Sequence, residues 1–309
     1  MVPLFFFPCL CPVRLLKMEC IVRRHPTLLF LLIILVPFSG QAAFEHVETG
    51  ARPAALGGAY CALSDDVHGP LHNPAGAGWL SHQAIALSAS RPFGLAELDT
   101  QELSVLQPAF GWVLGLHARR FGGRLYREMT IGISGARRIV DILSAGCCLR
   151  GRQLAIRGYG SDESWSLDLG LVALPGERWR WGMAVHNLNN GRLGRDRQGM
   201  PQVLMVGLAC RPEERLWLSG ELLGDLTDLS VDPFGSPAYP LEWRLGCEAR
   251  LRNMAALRLG LQNRPLRISA GLELAAGPLR LGYAWRSHPL LGSTHHVTLM
   301  AHRQPHAPK

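Results

Sequence analysis

The chain has 309 residues, 48% of them hydrophobic and 18% charged, with a formal net charge of +8. No run of eighteen or more apolar residues follows the N-terminal region, which excludes helical membrane spans there. The positive charge is almost all arginine, the lysines being Lys17 and Lys309. These arginines alternate with apolar residues instead of clustering among stacking aromatics, which argues against nucleic acid as a partner.

In chain order, residues 1–42 read as an export signal. Arg23 and Arg24 precede the apolar core Thr27 to Phe38, and Ser39-Gly40-Gln41-Ala42-Ala43 offers small residues for cleavage after Ala42. The stretch before Met18, with Cys9 and Cys11, reads as a misassigned start, and the general secretory route is expected. Removal of residues 1–42 takes away four basic residues and Glu19, which lowers the net charge from +8 to +5.

Residues 43–83 do not alternate. Thr49 to Leu80 is rich in small residues and carries Gly57-Gly58, Asp65-Asp66 and Asn73-Pro74-Ala75-Gly76; small side chains let backbones pack closely and Asn-Pro sets a turn. His68 and His72, beside the two aspartates, have the residue types of metal ligands, but Gly69-Pro70 is expected to prevent a regular helix from aligning them. Asp65 and Asp66 are expected to accept backbone N–H bonds in a turn or to pair with lumenal arginine.

From residue 84 the rhythm changes to period two. Leu241, Trp243, Leu245, Cys247, Ala249 and Leu251 fall on one face, with Glu242, Arg244, Gly246, Glu248 and Arg250 on the other. The same alternation sets Trp179, Trp181, Met183 and Val185 against Arg178, Arg180, Gly182 and His186. It sets Leu257, Leu259 and Leu261 against Arg258, Gly260 and Gln262, and Leu279, Leu281, Tyr283 and Trp285 against Arg280, Gly282 and Arg286. A soluble antiparallel sandwich also alternates. Tryptophans near strand ends and interior glycines favour a transmembrane barrel, apolar toward lipid and polar toward its lumen.

The strands are expected near 84–92, 101–108, 110–121, 126–137, 142–157, 164–174, 178–188, 202–212, 215–224, 241–251, 254–264, 267–275, 278–287 and 294–303. The second ends at Pro108, and the apolar phase around Cys147 reads as a bulge. Turns are short at Pro175-Gly176-Glu177, Arg252-Asn253 and Gly277-Pro278, and long at Asn187 to Pro201 and Asp225 to Pro240, the expected asymmetry between two barrel rims. Inward Arg and Glu should pair across strands, since an arginine facing mid-bilayer lipid costs roughly 2–4 kcal/mol. The lumen-facing charges are then Arg178, Arg180, Glu242, Arg244, Glu248, Arg250, Arg258, Arg280 and Arg286. Cys61, Cys147, Cys148, Cys210 and Cys247 follow no disulfide spacing, and Cys147 and Cys148 should face opposite ways on a strand. Of His295-His296, one should face headgroups and the other the lumen.

The segment G-A-R-x-x-x-L-G-G-A-Y-x-A-L-x-D-D followed by N-P-A-G resembles the PorV/PorQ family, relatives of the FadL fatty-acid channel. His186-Asn187-Leu188, Pro240 to Gly246, and Leu281 to Trp285 followed by Leu291 to Val297 are also similar. The resemblance implies an all-β chain: a cleaved signal over 1–42, a hatch over 43–83, an outer-membrane antiparallel barrel of about fourteen strands over 84–303, and a polar tail over 304–309. Gly57, Gly58, Asp65, Asp66, Asn73, Pro74, Ala75 and Gly76 would belong to the hatch. The family ends on an aromatic residue read by the barrel assembly machinery, and this chain departs from that pattern.

Catalytic motifs are absent from the sequence: Gly132-Ile133-Ser134-Gly135-Ala136 lacks the last glycine of a nucleophile elbow, and no G-x-G-x-x-G, Walker loop or C-x-x-C occurs. No cofactor or metal is expected, and the chain reads as a non-enzyme. The leading expectation is a gated channel or carrier for hydrophobic small molecules in contact with outer-membrane lipid. The alternative is a non-transporting component of a secretion or envelope complex of the type IX kind, with partner proteins, and a lipid-modifying barrel enzyme is the remote third.

Overall fold

The computed structural model describes residues 44, 50–193, 198–226, 241–252 and 254–303. The export signal with its cleavage site and alternative start, most of the loop after Asp225, Asn253 and the polar tail lie outside the described residues.

Alternation drives the architecture. The strands are β1 (Ala84–Arg91), β2 (Thr100–Ala109), β3 (Trp112–Gly122), β4 (Tyr126–Val140), β5 (Leu143–Ile156), β6 (Gly160–Gly176), β7 (Trp179–His186), β8 (Arg192–Leu193) and β9 (Gln198–Gly199). They continue as β10 (Val203–Glu213), β11 (Leu216–Asp225), β12 (Glu242–Leu251), β13 (Ala255–Asn263), β14 (Leu266–Ala276), β15 (Leu279–His288) and β16 (Gly292–His302). Among the described residues, fourteen of them form one closed antiparallel barrel, and β8 pairs only with β9. Closure is made by β1 against β16, from Ala84 opposite His302 to Arg91 opposite His295, so no sheet edge is left for water or lipid to satisfy. A two-layer sandwich is thereby ruled out.

Each strand shows one face to the outside and one to the lumen. Leu87, Leu259 and Trp181 are 55%, 61% and 56% exposed, while their neighbours Ala86, Arg258 and Gly182 are buried. Outward leucines, isoleucines and tryptophans encircle the barrel in an apolar belt far larger than a soluble monomer shows, and lipid is the solvent that fits it. Among the described residues no helix is long and apolar enough to cross a membrane.

One rim carries the tight turns 110–111, 141–142, 177–178, 214–215, 252–254 and 277–278, with the start of β1 and the end of β16. The other carries 92–99, 123–125, 157–159, 187–202, 226–241, 264–265 and 289–291, and the three long connections, 92–99, 187–202 and 226–241, are all on it. Short turns mark the periplasmic rim of exported barrels and long loops the outer one.

Three local expectations need correction. No bulge occurs at Cys147: Gly135 to Cys147 and Ser134 to Cys148 pair in unbroken register, with Cys147 exposed and Cys148 buried. The phase looked broken because Cys148 is an apolar residue on the lumenal face; the irregularity lies at Arg138/Val140 instead. Pro175 and Gly176 belong to β6, which ends in a register shift between Ala173 and Gly176. Within 187–201, the hairpin β8–β9 is too short to be announced by periodicity.

Candidate functional site

The lumen is filled by residues 50–83, which run as short helical turns. These are α1 (Ala51–Ala55), a 3₁₀ turn Cys61–Leu63, α2 (Gly69–His72) and a 3₁₀ stretch Pro74–Trp79. This hatch follows the inner wall along a belt of glycines. A Cβ on Gly282 would lie 3.3 Å from Ala51 Cβ, and one on Gly271 would lie 2.5 Å from Ala55 Cβ. At Gly260 it would run into Gly57 N, at Gly246 it would come 3.0 Å from Leu56 O, and at Gly182 2.5 Å from Cys61 O. At Gly170 and Gly146 the obstruction is Asn73 and Pro74. The wall lacks side chains where the hatch backbone must touch it.

Polar anchors complete the seat. Glu221 accepts hydrogen bonds from Tyr60 N (3.0 Å) and Cys61 N (2.8 Å), Thr298 Oγ1 accepts from Ala51 N (2.9 Å), and the Ser219 hydroxyl donates to Ala59 O (2.9 Å). Asn73 Nδ2 donates to Cys61 O (3.1 Å) and to Leu171 O of the wall (3.0 Å), while its Oδ1 caps the following turn by accepting from Ala75 N (3.1 Å). Ser144 donates to Ala75 O (2.7 Å).

Arg52 is the hub between hatch and wall on the periplasmic side. Its guanidinium lies 2.7 Å from Glu248, 2.8 Å from Asp65 and 3.0 Å from Asp66, with only 6% of the side chain exposed. Glu248 also binds Arg258 (2.8 Å) and Arg250 (3.0 Å), and Arg258 reaches Glu273 (2.8 Å), which binds Arg280 (3.1 Å). Arg180 closes on Asp65, and the Tyr60 hydroxyl on Asp66. Burial alone would raise the carboxyl of Asp65, but Arg180 and Arg52 outweigh it and hold it well below the usual carboxylate range. For Asp66 burial is likewise overcome, chiefly by Arg52, and its value is lowered. This network borders a vestibule of about 310 Å³ that also touches Val67, Leu80, Ala84 and Met300.

The two histidines diverge. His68 Nδ1 meets Glu102 of β2 at 3.0 Å; burial would lower its pKa, and the Glu102 carboxylate raises it above the ordinary 6.5. His72 stacks edge-on to Tyr60 at 5.1 Å, and its carbonyl meets His186 Nε2 at 2.7 Å. Gly69–His72 forms a single helical turn, with His68 at its N-cap and proline in the first turn where no N–H is needed, and it does not bring the two histidines together.

The outer side of the lumen has a different character. Phe44, Leu193 of β8 and Met200 are buried against one another, with Leu154 of β5 packed alongside. Arg152 lies over the Phe44 ring at 5.4 Å, and Glu128 accepts from Phe44 N at 3.0 Å. Asn187, fully buried, fixes this nest: its side chain donates to Met200 O (3.0 Å) and accepts from Gly191 N (2.8 Å), while its own N–H donates to Asp168 (2.9 Å).

Gly57, Gly58, Asp65, Asp66 and Asn73 to Gly76 all lie in the hatch. Arg180, Glu242, Arg244, Glu248, Arg258 and Arg286 face the lumen, and Arg250 and Arg280 sit at its periplasmic mouth with nearly half of each side chain exposed. Arg178 does not face the lumen; it occupies the exposed turn before β7, because the strand begins at Trp179. Arg52, Glu221, Glu273, Asp168 and the Phe44 nest were not singled out by sequence. Of the histidine pair, His296 is buried inside and His295 is outside, 2.7 Å from the Tyr283 hydroxyl.

No protein-family model matches the chain, and no curated protein does. Solved structures do. A monoaromatic hydrocarbon channel, CymD, aligns over 86% of this chain and 100% of its own at 16% identity and a TM-score of 0.61. The Pseudomonas putida toluene transporter TodX aligns over 84% and 99% at 13% identity and 0.58. A Pseudomonas aeruginosa FadL homologue aligns over 83% and 98% at 13% identity and 0.56. Identities this low speak to architecture alone, and what is shared is the overall fold of this closed barrel. The chain folds as a FadL-like β-barrel with its hatch seated inside.

Proposed function

We propose that the chain is an outer-membrane channel for hydrophobic small molecules, exported by its N-terminal signal and gated by the hatch. The observation that carries this reading is the nest of Phe44, Leu193, Met200 and Leu154, an apolar site inside a polar lumen and on the outer side of a hatch held by reversible ion pairs. Small apolar pockets with a few fixed polar groups are the usual form of a ligand site. Neighbours in fold include a toluene transporter and a monoaromatic hydrocarbon channel, which fits a compact apolar cargo. A ligand competing with Phe44 for Leu193 and Met200 weakens the hold on the segment that leads into the hatch. The G-A-R and N-P-A-G motifs support the narrower PorV/PorQ assignment. Uptake of a radiolabelled monoaromatic hydrocarbon into proteoliposomes tests the reading. Uptake well above that of empty vesicles is expected, and equal uptake by folded protein would refute it.

One observation favours the runner-up, a non-transporting envelope component: the glycine belt lets the hatch fill the barrel closely. That reading requires no flux together with a stable protein partner in crosslinked membranes.

A further inference from the structure

The outer rim of β3, β4 and β5 carries a cluster of arginines that neither the hatch nor the lumen uses. Along β3 the outward positions run Leu114, Leu116, Ala118 and Arg120; along β4 they run Ile133, Ile131, Met129 and Arg127. Each strand thus passes from lipid-facing apolar residues to an arginine at its outer end. The register places these arginines together. Arg120 opposes Met129, two residues from Arg127, and Arg127 opposes Ala155, two residues from Arg157. Such diagonal neighbours sit about 7–8 Å apart, and Arg157, in the turn just after β5, is held beside them by its N–H bond to Leu125 O (2.9 Å), so Arg120, Arg127 and Arg157 form an oblique row along the rim. Arg124, in the β3–β4 turn, borders the same cleft, whose volume is about 390 Å³.

All four side chains are exposed, and among the described residues no carboxylate forms an ion pair with any of them. Inside the lumen and at its periplasmic mouth, by contrast, Arg180, Arg244, Arg250, Arg258 and Arg280 each meet Asp or Glu. Like charges held side by side repel, so a cluster of this kind gains from a multivalent anion, and guanidinium matches phosphate oxygens in a two-pronged geometry. Leu125 and Tyr159, 66% and 92% exposed, flank the cleft with apolar surface. Cations beside grease, just beyond the lipid belt on the rim opposite the chain termini, match an amphiphile whose phosphate lies at the membrane surface and whose chains lie in the bilayer.

We propose that Arg120, Arg124, Arg127 and Arg157 form a binding site for the phosphorylated headgroup of an outer-leaflet lipid, whose acyl chains lie along the outward residues of β3 to β5. The site rests on the barrel spanning the outer membrane and not on what passes through the lumen.

The test is native mass spectrometry of the full barrel in detergent, offered bisphosphorylated lipid A or the same lipid after removal of its phosphates. The phosphorylated form should be retained roughly tenfold more strongly, with retention falling as salt is raised. The triple variant Arg120→Gln/Arg127→Gln/Arg157→Gln should erase that preference, whereas Arg303→Gln on the opposite rim should leave it intact. Unchanged heat-modifiability on gels shows that each variant is folded. Equal retention of the two lipids, or an undiminished preference in the triple variant, would overturn the proposal. Displacement of the lipid by an equal concentration of inorganic phosphate would overturn it too, because the site would then be a general anion site and not a headgroup site.

Discussion

Replacing Arg52 with methionine tests what holds the hatch. The substitution keeps length and apolar bulk but removes a buried cation 2.7 Å from Glu248, 2.8 Å from Asp65 and 3.0 Å from Asp66. Removing one partner of a buried ion pair costs about 3–5 kcal/mol, since the remaining charge stays uncompensated. Here the stranded groups keep other partners: Glu248 retains Arg258 and Arg250, Asp65 retains Arg180, and Asp66 retains the Tyr60 hydroxyl and the N–H of His68. The cost therefore falls at the lower end, about 3 kcal/mol, and raises the population of unseated hatch about 100-fold. Cys61 reports that opening directly, being 1% exposed between hatch and wall. With Cys147, Cys148, Cys210 and Cys247 replaced by serine or alanine, the labelling rate of Cys61 by a water-soluble thiol reagent should rise by that factor, because labelling requires local opening. A rate within twofold of the parent would refute the role assigned to Arg52.

Gly260→Leu places a side chain into Gly57 N and Leu56 C, backbone that cannot step aside, so the hatch should be displaced while the barrel still forms. Planar-bilayer recordings should show a persistent leak, and a closed conductance like the parent's would contradict the glycine-belt account. Met200→Glu puts a charge into the Phe44 nest and should lower uptake of a monoaromatic hydrocarbon about tenfold or more, while uptake unchanged by the substitution would remove the nest from the pathway. His68 titrates above its ordinary value because Glu102 faces it from the wall, with Asp66 favouring and Arg52 opposing the charge from the hatch. A raised folded-state pKa gives a contribution complete below about 6.5 and lost as pH climbs through the folded value. The unfolding temperature read by heat-modifiability should therefore decline from neutral to alkaline pH, and His68→Gln should flatten that slope; an unchanged slope in the variant would place its origin elsewhere.

The barrel was legible because lipid and lumen impose opposite demands on adjacent residues. Leu241 to Leu251 announces both faces in eleven positions, and interior glycines such as Gly246 and Gly260 already pointed to close backbone contact. The hatch was legible only as a segment that fails to alternate. Its partners lie far along the chain, from Glu102 opposite His68 to Thr298 opposite Ala51, and nothing local in Ala51-Arg52-Pro53 indicates that Arg52 will meet Glu248. Phe44 was hidden for another reason: it sits beside an export signal and owes its role to Leu193 and Met200, which come together only through the hairpin that Asn187 secures. Arg178 was misplaced by a single residue, enough to move it from a strand face to a turn.

The hatch can also be locked in place. A Cβ at Gly207 would stand 3.1 Å from Cys61 Cβ, so Gly207→Cys can form a disulfide with Cys61 after a shift of a few tenths of an ångström. Hydrocarbon uptake by proteoliposomes of this variant, measured oxidised and then reduced, bears directly on a barrel gated by its hatch. The account predicts no flux with the bond formed and restored flux when it is broken; equal flux in the two states, or none above empty vesicles in either, would contradict it.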